Sequence, residues 1–289
     1  MKVTWFDANS WLIEAAGWRV LVDPWLIGDL VFGNVSWLVK GVRPIDVEIP
    51  QNIDLILLSQ GLADHAHPET LSALDKSIPV VASPDAAKVA KAAGYDSVSV
   101  ATHGDTISKE KAGCAPLEVM ALQGAIVGAT KRENGYVLTF GSEVSGSEVS
   151  GSEVSESKTS GLKKTESALT RLYYEPHGYP DVNRLKGVGT VDVVITPLAD
   201  ITLVKVAPVV RGGDVAMQIA KLLRPQIMMP TAEEGRVHYE GVIAGALQTD
   251  GGAEDMRSRL KKEGLAVQVV QPASGETVEL DLRASVAAV

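Results

Sequence analysis

Apolar and polar positions alternate along Lys2–Phe6, again along Trp11–Ile13, and a third time along Trp18–Val22 after the small pair Ala16-Gly17. Period-two alternation around such a turn predicts a β-hairpin entrance with one buried face. This segment ends in Asp23-Pro24-Trp25. A different pattern follows at Leu55–Leu58, four apolar residues in a row, which predicts a strand buried on both faces. Beyond it the period switches back and forth. Pro68–Leu74 predicts a short helix, Val80–Ala82 a strand, Pro84–Ala93 a helix closed by Gly94, and Ser97–Val100 another strand. Leu117–Leu122, Gly135–Phe140, Leu172–Glu175, Val191–Thr196 and Ile227–Met229 predict further strands, and Gly212–Leu223 an amphipathic helix. A helix over Ala253–Lys262, closed by Gly264, and strands at Ala266–Val270 and Thr277–Leu282 complete the chain. Strands and helices in this order fit a layered α/β sandwich.

Two stretches break the rhythm. Residues 25–50, rich in Trp, Val, Gly and Pro, show neither period, and they predict a long apolar loop over a crevice mouth, as substrate wall or as packing lid. Between residues 141 and 161 the pentapeptide Gly-Ser-Glu-Val-Ser occurs three times in tandem. So polar a tract buries too little apolar area to offset its ordering entropy, which predicts a flexible surface insertion over 141–168. With that insertion set aside, residues 1–289 are expected to form a single domain.

Composition narrows the partners. A net charge of −9 and a pI near 5.1 exclude a basic nucleic-acid-binding face. The lone Cys114 excludes an intramolecular disulfide framework and cysteine-rich metal sites, and it reads as a small core residue. The opening MKVTWFDANS lacks the apolar core of a signal peptide, and no uninterrupted apolar run approaches the ~18 residues of a membrane span. A cytoplasmic setting is the expectation, or an organelle stroma if a transit peptide was removed.

Candidate chemistry gathers at two strand ends. After Leu58 come Ser59, Gln60, Asp64, His65 and His67, so two of the five histidines leave one strand terminus beside a carboxylate. Outside the carboxyl ends of strands in an α/β sheet lies the usual ligand crevice. The second cluster, Tyr173-Tyr174-Glu175-Pro176-His177-Gly178-Tyr179, ends another strand. Glu175 and His177 either coordinate a metal with Asp64 and His65, or form an acid/base pair, or belong to a turn set by Pro176 and Gly178. His103 reads as a solvent-facing turn residue, and His238 as peripheral on a helix-like segment before Gly241.

The segments VTWFDANSWLIEAAGWRVLVDPWL and DLILLSQGLADHAHPET together resemble the metallo-β-lactamase superfamily, in its lactonase-like and phospholipase-D-like branch. The resemblance implies an αββα sandwich, two mixed sheets flanked by helices. That family carries H-x-H-x-D-H after the strand, where this chain reads Gln60-Gly61-Leu62-Ala63-Asp64-His65. The hairpin's Gly-His-Ala/Ser is here Asp7-Ala8-Asn9-Ser10, no histidine stands in 123–128, and Ala232 fills the last ligand position beside Glu233 and Glu234. Asp23 would be a structural carboxylate beneath the site.

The resemblance carries over two ligand positions, Asp64 and His65; joined with the two clusters, the candidate metal ligands are Asp64, His65, His67 and His177, with the amide oxygen of Gln60 as an addition, and the candidate catalytic residues are Asp64, His65, Glu175 and His177. The implied cofactor is one divalent metal, zinc, iron or manganese, or none at all. Two functions follow: a hydrolase of an ester, lactone or phosphoester, or a metal-free fold that binds a small molecule or protein.

Overall fold

The computed structural model describes residues 1–31, 37–127, 131–141, 169–203, 207–233 and 235–283. Two seven-stranded mixed sheets form its centre. In spatial order the first holds Thr277–Glu279, Lys2–Trp5, Trp11–Ala15, Trp18–Val22, Leu55–Leu58, Val80–Ala82 and Val98–Val100. Pairing is antiparallel through the hairpin strands and parallel from Trp18–Val22 onward. The second holds Gln268–Val269, Ile227–Met229, Val193–Ile195, Thr170–Tyr174, Lys131–Phe140, Leu117–Val127 and Thr106–Lys109, parallel over the first four and antiparallel after them.

The two-residue period of each strand builds the layers. Leu55 and Leu57 point into the core between the sheets, together with Trp11, Ile13, Val20 and Val22. Their neighbours Ile56 and Leu58 point outward with Leu12 and Leu21, where Leu71, Ala86, Ala87 and Ala90 of the helices Pro68–Ala73 and Pro84–Ala92 cover them. The second sheet repeats the division. Tyr174, Ile195 and Met229 face inward, while Tyr173, Val194 and Met228 face the helices Gly213–Leu223 and Ala253–Lys262. Helix, sheet, sheet and helix therefore stack as the sequence predicts, each fully buried Leu or Ile contributing about 1.5–3 kcal/mol. Four of the five tryptophans are buried in this packing and Trp37 is exposed. Among the described residues no helix is long and apolar enough to cross a membrane.

Several expectations need correction. The 25–50 stretch is not all loop: Lys40–Val42 pairs with Leu30–Val31 on one side and His238–Glu240 on the other in a small sheet of their own. His238 therefore sits on a strand. These strands, two or three residues long, are too short to show a period. From this stretch Arg43 is buried against the N-terminal hairpin; its guanidinium donates to Asp7 Oδ2 at 3.1 Å, the Phe6 carbonyl at 3.0 Å and the Trp25 carbonyl at 2.6 Å. The strands predicted to end at Leu122 and begin at Gly135 run on to Val127 and start at Lys131, with a register break between Gln123 and Ile126. A further sheet, Ala207–Val210, Ala199–Leu203 and Leu247–Gly251, was not foreseen. The expected flexible insertion lies outside the described residues from 142 on, as does Glu234.

Candidate metal centre

Parallel pairing puts the ends of Trp18–Val22 and Leu55–Leu58 side by side. Asp23 N–H donates to the Leu57 carbonyl, and Ser59 N–H returns a bond to Asp23 Oδ1 at 2.7 Å. Asp23 adopts φ 42°, a left-handed conformation that costs a non-glycine residue energy and is held by these bonds. Its other oxygen accepts from Tyr174 Oη of the opposite sheet at 2.6 Å and from His65 Nδ1 at 2.7 Å. The carboxylate thus ties both sheets together below the imidazole. With Nδ1 committed as donor, His65 Nε2 faces the crevice.

Around Nε2 stand Asp64 Oδ2 at 3.2 Å, Gln60 Nε2 at 3.0 Å and Asn9 Nδ2 at 3.3 Å. The Gln60 amide nitrogen also lies 2.9 Å from His177 Nδ1, and the two imidazole rings are 4.9 Å apart between centroids. His177 arrives from the end of Thr170–Tyr174, the strand that also carries Tyr174. Ligand atoms of Asp64, His65 and His177 all lie within 4.8 Å of one another. His65 is fully buried, while Asp64 and His177 are half-open to solvent.

Charge follows this geometry. Burial opposes a proton on His65, but the carboxylates of Asp64 and Asp23 outweigh it and push its pKa up to about 10. Burial would raise Asp64 too, yet the adjacent His65 charge holds it below the usual carboxylate range. His177, desolvated and beside that cation, is pushed down to about 3 and stays neutral. Cations in place of the His65 proton would meet two neutral imidazole nitrogens and one carboxylate.

The residues fit such a cation. Asp64 Oδ1 and Gln60 Oε1 are buried without a hydrogen-bond partner, and a buried oxygen left unpaired costs about 1–3 kcal/mol. His65 Nε2 is also pulled two ways: Asp64 asks it for a proton, while the Gln60 and Asn9 amide nitrogens ask it for a lone pair. A metal ion satisfies the carboxylate and the lone pair together, and rotation of the Gln60 amide would turn its free oxygen inward.

The structure brings Asp64, His65, His177 and Gln60 together, but not every expected residue. His67 caps the helix Pro68–Ala73 instead: its Nδ1 faces Thr70 and its Nε2 the Asp29 carbonyl. Glu175 is fully buried and its carboxylate accepts from the backbone N–H groups of His177, Gly178 and Tyr179, which fixes the turn carrying His177. Burial pushes its pKa up to about 7 despite those bonds. Glu233 is held by Gln271, and the neighbouring Ala232, at φ 60°, pairs its backbone with Ala8. His103 is half-buried with Nε2 near the Glu133 carbonyl rather than free in solvent. Sequence reasoning missed Asn9 and Tyr174 as site residues. Asn9 stands where the resembling family carries a histidine, a signal that could have found it; Tyr174 offers none.

Residues 2–232 match the family described as the beta-lactamase superfamily domain. The chain belongs to the metallo-β-lactamase superfamily, and among the described residues the group that could hold a metal ion is a partial one, Asp64, His65 and His177. Comparison with curated proteins gave no match. Solved structures share the fold at low identity. A possible metal-dependent hydrolase from Veillonella parvula is 14% identical with a TM-score of 0.64, over 97% of this chain and 99% of that one. Isothiocyanate hydrolase from Delia radicum gut bacteria is 16% identical with a TM-score of 0.60, over 97% and 99%. Igni18, a metallo hydrolase from the archaeon Ignicoccus hospitalis, is 13% identical with a TM-score of 0.58, over 98% and 99%. Such likeness speaks for the fold alone.

Proposed function

We propose that this protein is a metal-dependent hydrolase that holds a single divalent cation through Asp64, His65 and His177, with Gln60 as a neutral oxygen donor, and acts on an ester, lactone or phosphoester. The observation that carries this reading is the convergence of those three side chains within 4.8 Å beside two unpaired buried oxygens. A bound divalent cation supplies Lewis-acid polarisation and acidifies water near neutral pH. The chain's own residues prepare for it. Asp23 orients His65, the Glu175 turn presents His177, and Asp64 stays ionised and open on one side. Only one carboxylate and two imidazoles are present, and amide oxygen prefers harder cations than zinc, which supports one ion and favours manganese or iron.

One observation favours a second reading. The Gln60 amide spans His65 Nε2 at 3.0 Å and His177 Nδ1 at 2.9 Å, so a neutral side chain could link the two imidazoles in the place of a cation. The fold would then be a metal-free binding module. Metal analysis of protein purified without chelator separates the two. Near one equivalent of manganese, iron or zinc, lost in Asp64→Ala and His65→Ala, supports the hydrolase; less than about a tenth of an equivalent after incubation with all three rejects it.

A further inference from the structure

Two surface cavities meet beside the His177 turn. One, of about 610 Å³, runs between the helices Gly213–Leu223 and Ala253–Lys262. The other, of about 200 Å³, begins at Gly178, one residue past His177. Arg211, Val215 and Gln218 line both, so the two form one groove whose inner end is the turn that carries a proposed metal ligand.

Arg211 is built into that turn. Its backbone N–H donates to the His177 carbonyl at 2.9 Å. Gly178, at φ 75°, lies so close that a Cβ there would fall 1.5 Å from the Arg211 carbonyl oxygen, so the approach depends on glycine. The guanidinium is exposed and sits 5.6 Å over the Tyr179 ring, whose hydroxyl is pinned to the Pro208 carbonyl at 2.8 Å. Stacking on a fixed ring holds a planar fork in place while leaving its donors free.

The carboxylates of the groove are committed elsewhere. Asp214 bonds Arg259, and Glu263 pairs with Lys221 at 3.1 Å. Among the described residues Arg211 forms no salt bridge. A braced guanidinium without an ion pair among the described residues, set where two cavities meet in a chain of net charge −9, has the chemistry of an oxyanion receptor.

We propose that Arg211 binds the acidic group, carboxylate or phosphate, of a small molecule that lies in this groove, the substrate of the proposed hydrolase. As a statement about substrate it rests on the hydrolase reading; as a binding site it does not. Gln218, on the shared wall, offers an amide donor to the same anion.

The test uses the full-length protein after chelation, titrated separately with inorganic phosphate and with acetate while thermal unfolding is followed. One of the two anions should raise the melting temperature saturably, and which one does assigns the class of acidic group. Arg211→Gln should weaken that binding roughly tenfold and Arg211→Lys less, because a charge remains but the fork is lost. Saturable binding that Arg211→Gln leaves unchanged overturns the proposal, as does failure of both anions to saturate. Since metal is absent throughout, these outcomes are independent of metal content, which alone decides the hydrolase reading.

Discussion

The floor and the rim of the candidate metal centre are built to different rules. On the floor, Asp23 takes bonds from Ser59, His65 and Tyr174, so both of its oxygens are engaged. At the rim, a few ångströms away, Asp64 Oδ1 and Gln60 Oε1 are buried and unpaired. Buried polar groups are ordinarily satisfied, so a complete network marks structure and an incomplete one marks the place a ligand completes. The contrast separates two layers that residue type does not, because both contain a carboxylate and an imidazole.

The floor should break hardest. Asp23→Ala leaves His65 and Tyr174 without their acceptor and is expected to destabilise the fold by about 3–5 kcal/mol, read by urea unfolding. At the rim, Asp64→Ala should abolish stoichiometric metal binding, measured by elemental analysis, while costing little stability in the chelated protein. The next effect concerns protons. His65 carries a folded-state pKa of about 10 against 6.5 when free, so its proton stabilises the metal-free fold fully below pH 6.5, and that contribution is lost as pH rises toward 10. A cation must displace the proton; binding at pH 7 should release about one, detectable calorimetrically in buffers of different ionisation enthalpy, and affinity should rise with pH. The smallest effect belongs outside both layers. His67→Ala should cost about 1 kcal/mol through loss of the helix cap and leave metal content unchanged.

The fold was legible because its strands announce themselves through a period of two. Trp11 and Ile13 alternate with Leu12, and Leu55–Leu58 fill both faces, so the inner and outer layers could be read before their partners were known. The site was only partly legible. Asp64 and His65 are neighbours in sequence and stand at an evident strand end, and His177 follows another. Asn9 reaches His65 across 56 residues, a contact made only when distant strands of the first sheet assemble, and Tyr174 reaches Asp23 across 151, a contact made only when the two sheets stack. Glu175 is a related case, since its bonds could not be read from the sequence. A carboxylate beside a histidine reads as chemistry, yet three backbone N–H groups of its own turn claim it. His67 is a smaller case, since a side-chain acceptor just before Pro68 is also a helix cap.

The clasp of Arg43 on Asp7, Phe6 and Trp25 decides how anything enters. A guanidinium sunk beneath the surface and stacked 5.0 Å from the Trp25 ring cannot swing out without stranding its charge, so the segment around it is a fixed jamb and not a hinged flap. Backbone amides at Arg43 and Val47, bonded to Asp29 and Leu26, should accordingly exchange with solvent as slowly as those of the central strands.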